Sequence, residues 1–277
     1  MTRPPRTPVL VINANMAADR LAFQRVQAER LGLPLTRVPA IAPAALPEET
    51  AEALLARGVR PFARTEISCL LSHAACWRRV VASGVPHLVL EDDAVLSPLL
   101  PAVLDAIAAA HPDRTVNFET YMGRPKYLAR RPVPPSVPGV ALHRVIKGSA
   151  GAAAYLIGPR SAEGLLAALR HRAALADIFI GLYSPRKVLQ TVPALGAQMM
   201  TLESMGERAP AAAARSTIAA GAAERAPGGP SAYMRAPARA LRRLTLEMRV
   251  AREKIEGRLM GERRVVPLGP GLAARDE

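Results

Sequence analysis

The stretch His87-Leu88-Val89-Leu90-Glu91-Asp92-Asp93 runs from a compact apolar segment straight into three adjacent carboxylates. An apolar run this short, with a turn on either side, reads as a strand buried on both faces. Three neighbouring acids repel one another, so a buried strand that ends in them is costly unless a cation is present. Strand alternation sends Glu91 and Asp93 to one side and Asp92 to the other. Glu91 and Asp93 can then share one hard divalent ion, Mg²⁺ or Mn²⁺, which takes oxygen ligands from one or two carboxylates plus substrate phosphates. The bland alternative is a solvated strand exit, or acids that cap the next helix.

Working outward, the pattern alternates. Pro8 to Asn13 is a β-branched run that predicts a buried strand, and Ala17 to Leu31 an amphipathic helix stopped by Gly32. Leu35 to Pro39 reads as a second strand, and Glu48 to Arg57, closed by Gly58, as a second helix. Thr65 to Ala82 predicts a third helix with Thr65 as N-cap and Gly84 as its stop. Beyond the acids, helix is expected over Pro98 to Ala110 and Arg160 to His171. Strands are expected at Thr115 to Phe118, Val140 to Ile146, Ala152 to Ile157 and Lys187 to Val192, with a Pro-rich loop at Arg131 to Pro138. This order predicts an α/β domain with a mainly parallel sheet, in which ligands bind at the carboxyl ends of strands.

Past Arg208 the character changes. The expected organisation is a main domain over 1–208, an Ala/Gly/Pro-rich linker over 209–235, a basic amphipathic helix over 236–262 and a tail over 263–277. Within that helix Leu241, Leu244, Met248, Ala251 and Ile255 form one narrow face, with Arg242, Arg243, Arg249, Arg252, Lys254 and Arg258 on the others. It admits three readings: lying on an anionic membrane, pairing as a short coiled coil, or docking on the main domain.

The formal net charge of +14 favours anionic partners. Cys69 and Cys76, the two cysteines, fall two turns apart on the third helix, too far to bridge, and no Cys/His cluster has zinc spacing. The N-terminal apolar run Val9-Leu10-Val11-Ile12 is far short of a signal-peptide core or a membrane span. The expected location is the cytoplasm, with peripheral attachment to the inner face of the plasma membrane as the variant that 236–262 allows.

Val11-Ile12-Asn13, Glu66-Ile67-Ser68-Cys69-Leu70-Leu71-Ser72-His73 and Leu88-Val89-Leu90-Glu91-Asp92-Asp93, taken together, resemble family 25 glycosyltransferases. These are bacterial lipopolysaccharide sugar transferases, related to the collagen galactosyltransferases. Asn117-Phe118-Glu119-Thr120, the run Gly148 to Ile157 and Ala176-Asp177 follow in the family's order, so the resemblance spans roughly residues 8–200. It implies a GT-A-like, Rossmann-type nucleotide-sugar-binding domain and a UDP-sugar donor, often UDP-galactose. It further implies inverting transfer and a divalent ion, Mn²⁺ or Mg²⁺, at Glu91 and Asp93 with Asp92 beside the donor.

An inverting displacement needs a carboxylate to take the acceptor proton. Asp177 is the first candidate and Glu119 the second. The alternatives are a helix N-terminal charge for Asp177 and an acid paired with Arg124 or Arg130 for Glu119. Asn13, Arg20, Ser72, His73, Thr120, Ser149 and Gly151 are the further donor-site candidates. The small residues of Gly148 to Ala154 would admit close backbone approach, and His73, alone in an apolar helix, would serve a structural role. The family's first motif usually continues Ile-Asn-Leu-Asp, where this chain has Ile12-Asn13-Ala14-Asn15, and Ser68 stands where glycine is common.

The expected partners are therefore a UDP-sugar and a saccharide or lipid-linked acceptor, with an anionic membrane surface as a candidate partner for 236–262. The competing readings are a non-catalytic sugar-nucleotide binder and a basic nucleic-acid-binding protein. Scarce aromatics and the acidic strand end argue against the latter, and no nucleic acid is expected.

Overall fold

The computed structural model describes residues 6–134, 139–148, 151–210 and 237–272. Strands β1 (Val9–Asn13), β2 (Leu35–Pro39), β3 (His87–Glu91), β5 (Thr115–Asn117), β6 (Lys126–Ala129), β7 (Ala141–Lys147), β8 (Ala154–Ile157), β9 (Leu189–Val192) and β11 (Gly261–Arg264) form one sheet. Their order is β11-β6-β7-β9-β5-β8-β3-β1-β2, and β4 (Ala94–Leu96) pairs separately with β10 (Gly196–Gln198). The α/β class holds, and the sheet is mixed. β1 lies parallel to β2 and β3, and β5 parallel to β9, while β8 sits antiparallel between β3 and β5. Because β8 opposes both neighbours, β3 and β5 run the same way. The carboxyl ends of β1, β3 and β5 therefore meet along one edge, where the chain also enters β8.

Helices cover both faces: α1 (Ala18–Leu31), α2 (Glu48–Arg57), α3 (Arg64–Ser83), α4 (Leu100–Ala110), α5 (Pro159–Leu169), α6 (Ala176–Tyr183), α7 (Met199–Ser204) and α8 (Pro237–Met260). This double cover explains why the central strands are apolar without interruption. Val9 and Val11 of β1, Leu88 and Leu90 of β3, and Leu156 of β8 pack with α4 residues Leu100, Leu104 and Ile107. Their neighbours Leu10, Ile12, Val89, Tyr155 and Ile157 pack on the opposite side with Ile67, Leu70 and Trp77 of α3 and Phe179 of α6. The period of two thus decides which helix each strand-end side chain meets.

Two local expectations are corrected. Helix α3 begins at Arg64 after Ala63, not at a Thr65 cap; the Glu66 carboxylate accepts the Ala63 N–H at 2.9 Å, while the buried Thr65 hydroxyl has no partner. The expected tail is ordered as far as it is described, through residue 272: β11 pairs antiparallel with β6 and extends the sheet, and the Gly269 N–H donates to the Ala194 carbonyl at 2.8 Å. An uncovered β6 would leave a row of unpaired backbone groups, which β11 satisfies. Most of the expected linker lies outside the described residues. No helix among those described is long and apolar enough to cross a membrane.

Candidate active site

Alternation along β3 puts Glu91 on the α3 side of the sheet, and there it meets His73. The imidazole Nε2 lies 3.2 Å from Glu91 Oε1, its Nδ1 lies 3.0 Å from the Tyr155 hydroxyl, and Trp77 Nε1 donates to that same hydroxyl at 2.9 Å. His73, Trp77 and Tyr155 are all fully buried, so this chain of bonds fixes the imidazole and through it one Glu91 oxygen. Gln198, the last residue of β10, donates to the other Glu91 oxygen at 3.1 Å. The Cys69 thiol sits one turn before His73, and its sulfur, a His73 ring nitrogen and a Glu91 oxygen lie within 4.8 Å of one another. Burial first, then the charges of Glu91, Asp177 and Asp93, push the Cys69 thiol well above its ordinary value.

Asp92 turns to the opposite side, toward α1. Arg20 Nη1 lies 3.1 Å from one carboxylate oxygen and Asn13 Nδ2 donates to the other at 2.7 Å. Gln24 holds the Asp92 carbonyl at 3.1 Å, and Arg37 donates to Asn13 Oδ1 at 3.0 Å. Burial still raises the Asp92 carboxyl, with Arg20 and Asn13 countering only in part. A buried pair of this kind gives back in attraction little more than its desolvation costs. Its effect is to pin the Glu91-Asp92-Asp93 turn to α1.

Asp93 is the acid without an answer. Its Oδ1 is buried with no hydrogen-bond partner, and burial, followed by the charges of Glu91 and Asp92, raises its carboxyl to about 7. Asp177, in the first turn of α6, accepts the Gly151 N–H; burial raises its carboxyl, with Glu91 adding to the effect. Glu119 lies just beyond β5 and is wholly buried. One oxygen accepts the Ala153 N–H at 2.9 Å, the other has no partner, and burial followed by the Glu91 charge drives its carboxyl well up. Lys126 is buried nearby, donating to Gln190 Oε1 at 2.6 Å, with burial lowering its ammonium to about 8.

The structure thus gathers Glu91, Asp93, Glu119 and Asp177 around the carboxyl edge of β3 and β5, with Gly151 between Glu119 and Asp177. Gly151 has φ +101°, and a Cβ there would lie 2.0 Å from Glu119 Oε1. Only glycine fits, for backbone and for space. Asn13, Arg20 and Asp92 form a second group on the α1 side. Ser72 is committed elsewhere: its hydroxyl donates to the Ser68 carbonyl at 2.7 Å and accepts the Ile41 N–H at 2.9 Å, tying α3 to the loop after β2. Thr120 is fully buried with its hydroxyl unpartnered, and Ser149 lies outside the described residues. Glu119 pairs with neither suggested arginine. Arg124 stacks over the Tyr121 ring, and Arg130 donates to the Leu259 carbonyl at 3.0 Å.

Cys69, Lys126, Tyr155 and Gln198 were not singled out from the residues as members of this cluster. The step of four from Cys69 to His73 puts both on one helix face and was readable. Gln198 carries no signal at all, since only the pairing of β10 with β4 delivers it.

Carboxylates gathered at the carboxyl edge of a helix-covered sheet occupy the place where α/β enzymes bind their ligands. The chain belongs to glycosyltransferase family 25 (LPS biosynthesis protein), whose model matches residues 6–180, a span that takes in every element of the acidic cluster except Gln198. It is accordingly a glycosyltransferase, working between a sugar donor and a saccharide acceptor. Comparison with curated proteins finds no match.

Proposed function

We propose that the protein moves a hexose, galactose first among the candidates, from a UDP-sugar to a saccharide or lipid-linked acceptor such as lipopolysaccharide core. The transfer inverts the anomeric centre and takes place on the cytoplasmic side. The observation that carries this reading is the surplus of carboxylates at the sheet edge: two buried oxygens, Asp93 Oδ1 and Glu119 Oε2, have no donor. A cluster of carboxylates with unpartnered buried oxygens suits a hard divalent cation, and Glu91 and Asp93 supply the oxygen ligands that Mn²⁺ or Mg²⁺ prefers. Such an ion, when bound, would offset the charge that develops on a leaving diphosphate.

The chain's own residues divide the remaining work. His73 and Gln198 orient Glu91. Arg20 and Asn13 hold Asp92, so the acidic turn keeps its shape whether or not a ligand is present. Asp177 is the favoured base: it is only partly buried, its carboxyl is raised toward the range useful for taking a proton, and the Gly151 N–H aims it. Glu119, wholly buried and bonded to Ala153, better suits holding the glycine-bearing entry to β8 in place.

A screen of nucleotide sugars with a saccharide acceptor and Mn²⁺, read as released nucleotide, tests the reading. Release from a UDP-hexose that needs both the acceptor and the metal supports it. Binding of nucleotide sugars with no transfer to any acceptor would instead mark a non-catalytic binder.

A further inference from the structure

Helix α8 meets the domain by the face its apolar stripe does not occupy. Glu253 is buried, with its carboxylate 2.5 Å from Lys187 Nζ and 3.2 Å from Arg249 Nε. Glu256 pairs with Arg144 at 3.3 Å, and Gly257 lies close against the Tyr127 ring, where a Cβ would come within 2.9 Å. At about 100° per residue these positions define one side of the helix. Leu244, Met248, Ala251, Ile255 and Leu259 centre on the opposite side, and the four large ones are between 52 % and 69 % exposed. Arg252 flanks the stripe on one edge and Arg258 and Lys254 on the other, all three exposed, while Glu247 on that second edge is engaged by Arg243 at 2.8 Å.

We propose that α8 is a docking element for an anionic lipid surface. Held to the sheet by Glu253 and Glu256, it lies in the headgroup layer with Leu244, Met248, Ile255 and Leu259 toward the acyl chains and the flanking cations on lipid phosphates. An amphipathic helix with a large apolar stripe and basic borders has this preference. A patch of four large apolar side chains opposite the docked face has no partner among the described residues. A second copy of the chain fits less well. The stripe barely exceeds two heptads, and its basic borders would repel across a parallel pair instead of forming the opposite-charge contacts that specify one. The helix spans about 36 Å, yet it carries too many charges to cross a bilayer and lies along it instead.

The proposal is independent of the sugar chemistry, and its test needs no substrate. The full-length chain is floated with vesicles of phosphatidylcholine alone and with vesicles that also contain phosphatidylglycerol, at low and high salt. Light scattering in parallel reports the oligomeric state. The expected result is flotation with the phosphatidylglycerol vesicles, weakened by salt, with a tenfold or greater loss of bound protein in the Met248→Glu/Ile255→Glu variant. Both side chains are more than half exposed and neither belongs to the buried core, so circular dichroism and melting should match the wild type. Absence of flotation at low salt overturns the proposal, as does equal binding by the variant. A dimer that the variant dissolves also overturns it, since a second copy would then cover the stripe.

Discussion

Replacing Asp93 with Asn should make the metal-free protein more stable at alkaline pH, against the usual direction for a buried polar position. Burial beside Glu91 and Asp92 raises the Asp93 carboxyl from its ordinary 3.8 to about 7. A folded-state value above the unfolded one means that the folded form binds the proton more tightly. The contribution is fully present below about pH 4 and is lost as pH rises through about 7. At about 1.4 kcal/mol per pH unit, the interval corresponds to about 4 kcal/mol, an upper bound because neighbouring acids titrate as a set. An Asn amide removes the charge but still finds no partner for the buried oxygen, which returns about 1–3 kcal/mol of that gain. The expected net is therefore about 1–3 kcal/mol of stabilisation at pH 8, shrinking toward zero or reversing at pH 5. Urea denaturation in EDTA over that pH range checks it. A variant less stable than wild type at pH 8, or one that keeps the wild-type pH slope, would refute the claim that Asp93 is an uncompensated buried acid.

Other perturbations follow from the same contacts. Arg20→Met leaves Asp92 buried beside Asn13 alone and should cost about 3–5 kcal/mol in chemical denaturation, with Arg20→Met/Asp92→Asn recovering much of the loss. Gly151→Ala forces a Cβ into the space of Glu119 at a positive φ; it should lower the melting temperature, with at least about 1–3 kcal/mol from backbone strain alone, and suppress transfer. Tyr155→Phe strips the hydroxyl that His73 and Trp77 share and should cost about 1–3 kcal/mol in denaturation. Asp177→Asn should reduce transfer about 10²- to 10⁴-fold while leaving nucleotide affinity near wild type, measured by steady-state kinetics and calorimetry side by side.

Much of the central fold was legible because double cover leaves a strong trace. The runs Val9–Ile12, Leu88–Leu90 and Ala154–Ile157 are buried throughout by helices on both faces and carry no charged residue, and Gly32 and Gly84 mark helix ends in left-handed conformations. What escaped were elements whose sequence is weak and whose pairing is remote. β4, β6, β10 and β11 are each four residues or fewer, and β11, Gly261-Glu262-Arg263-Arg264, has no alternation to read. Helix α6 is brief, and only the resemblance drew attention to Asp177 at its start. The split of the acidic triplet was readable from alternation, because Glu91 meets α3 and Asp92 meets α1. That Ser72 serves the loop after β2 instead of a ligand was not, since a buried hydroxyl looks the same in sequence whichever backbone group it bonds. The stripe on α8 was visible as a pattern, but the side from which the helix docks depends on Lys187 and Arg144, far away in the chain.

Manganese uptake tests the functional account at its base. Electron paramagnetic resonance of free Mn²⁺, titrated with the protein in the presence of UDP, reads occupancy of the acidic edge directly. The account predicts loss of the free-ion signal with the wild-type chain and its return in the Glu91→Gln/Asp93→Asn variant, provided that circular dichroism shows the variant folded. No uptake by the wild type, or undiminished uptake by the folded variant, would contradict it.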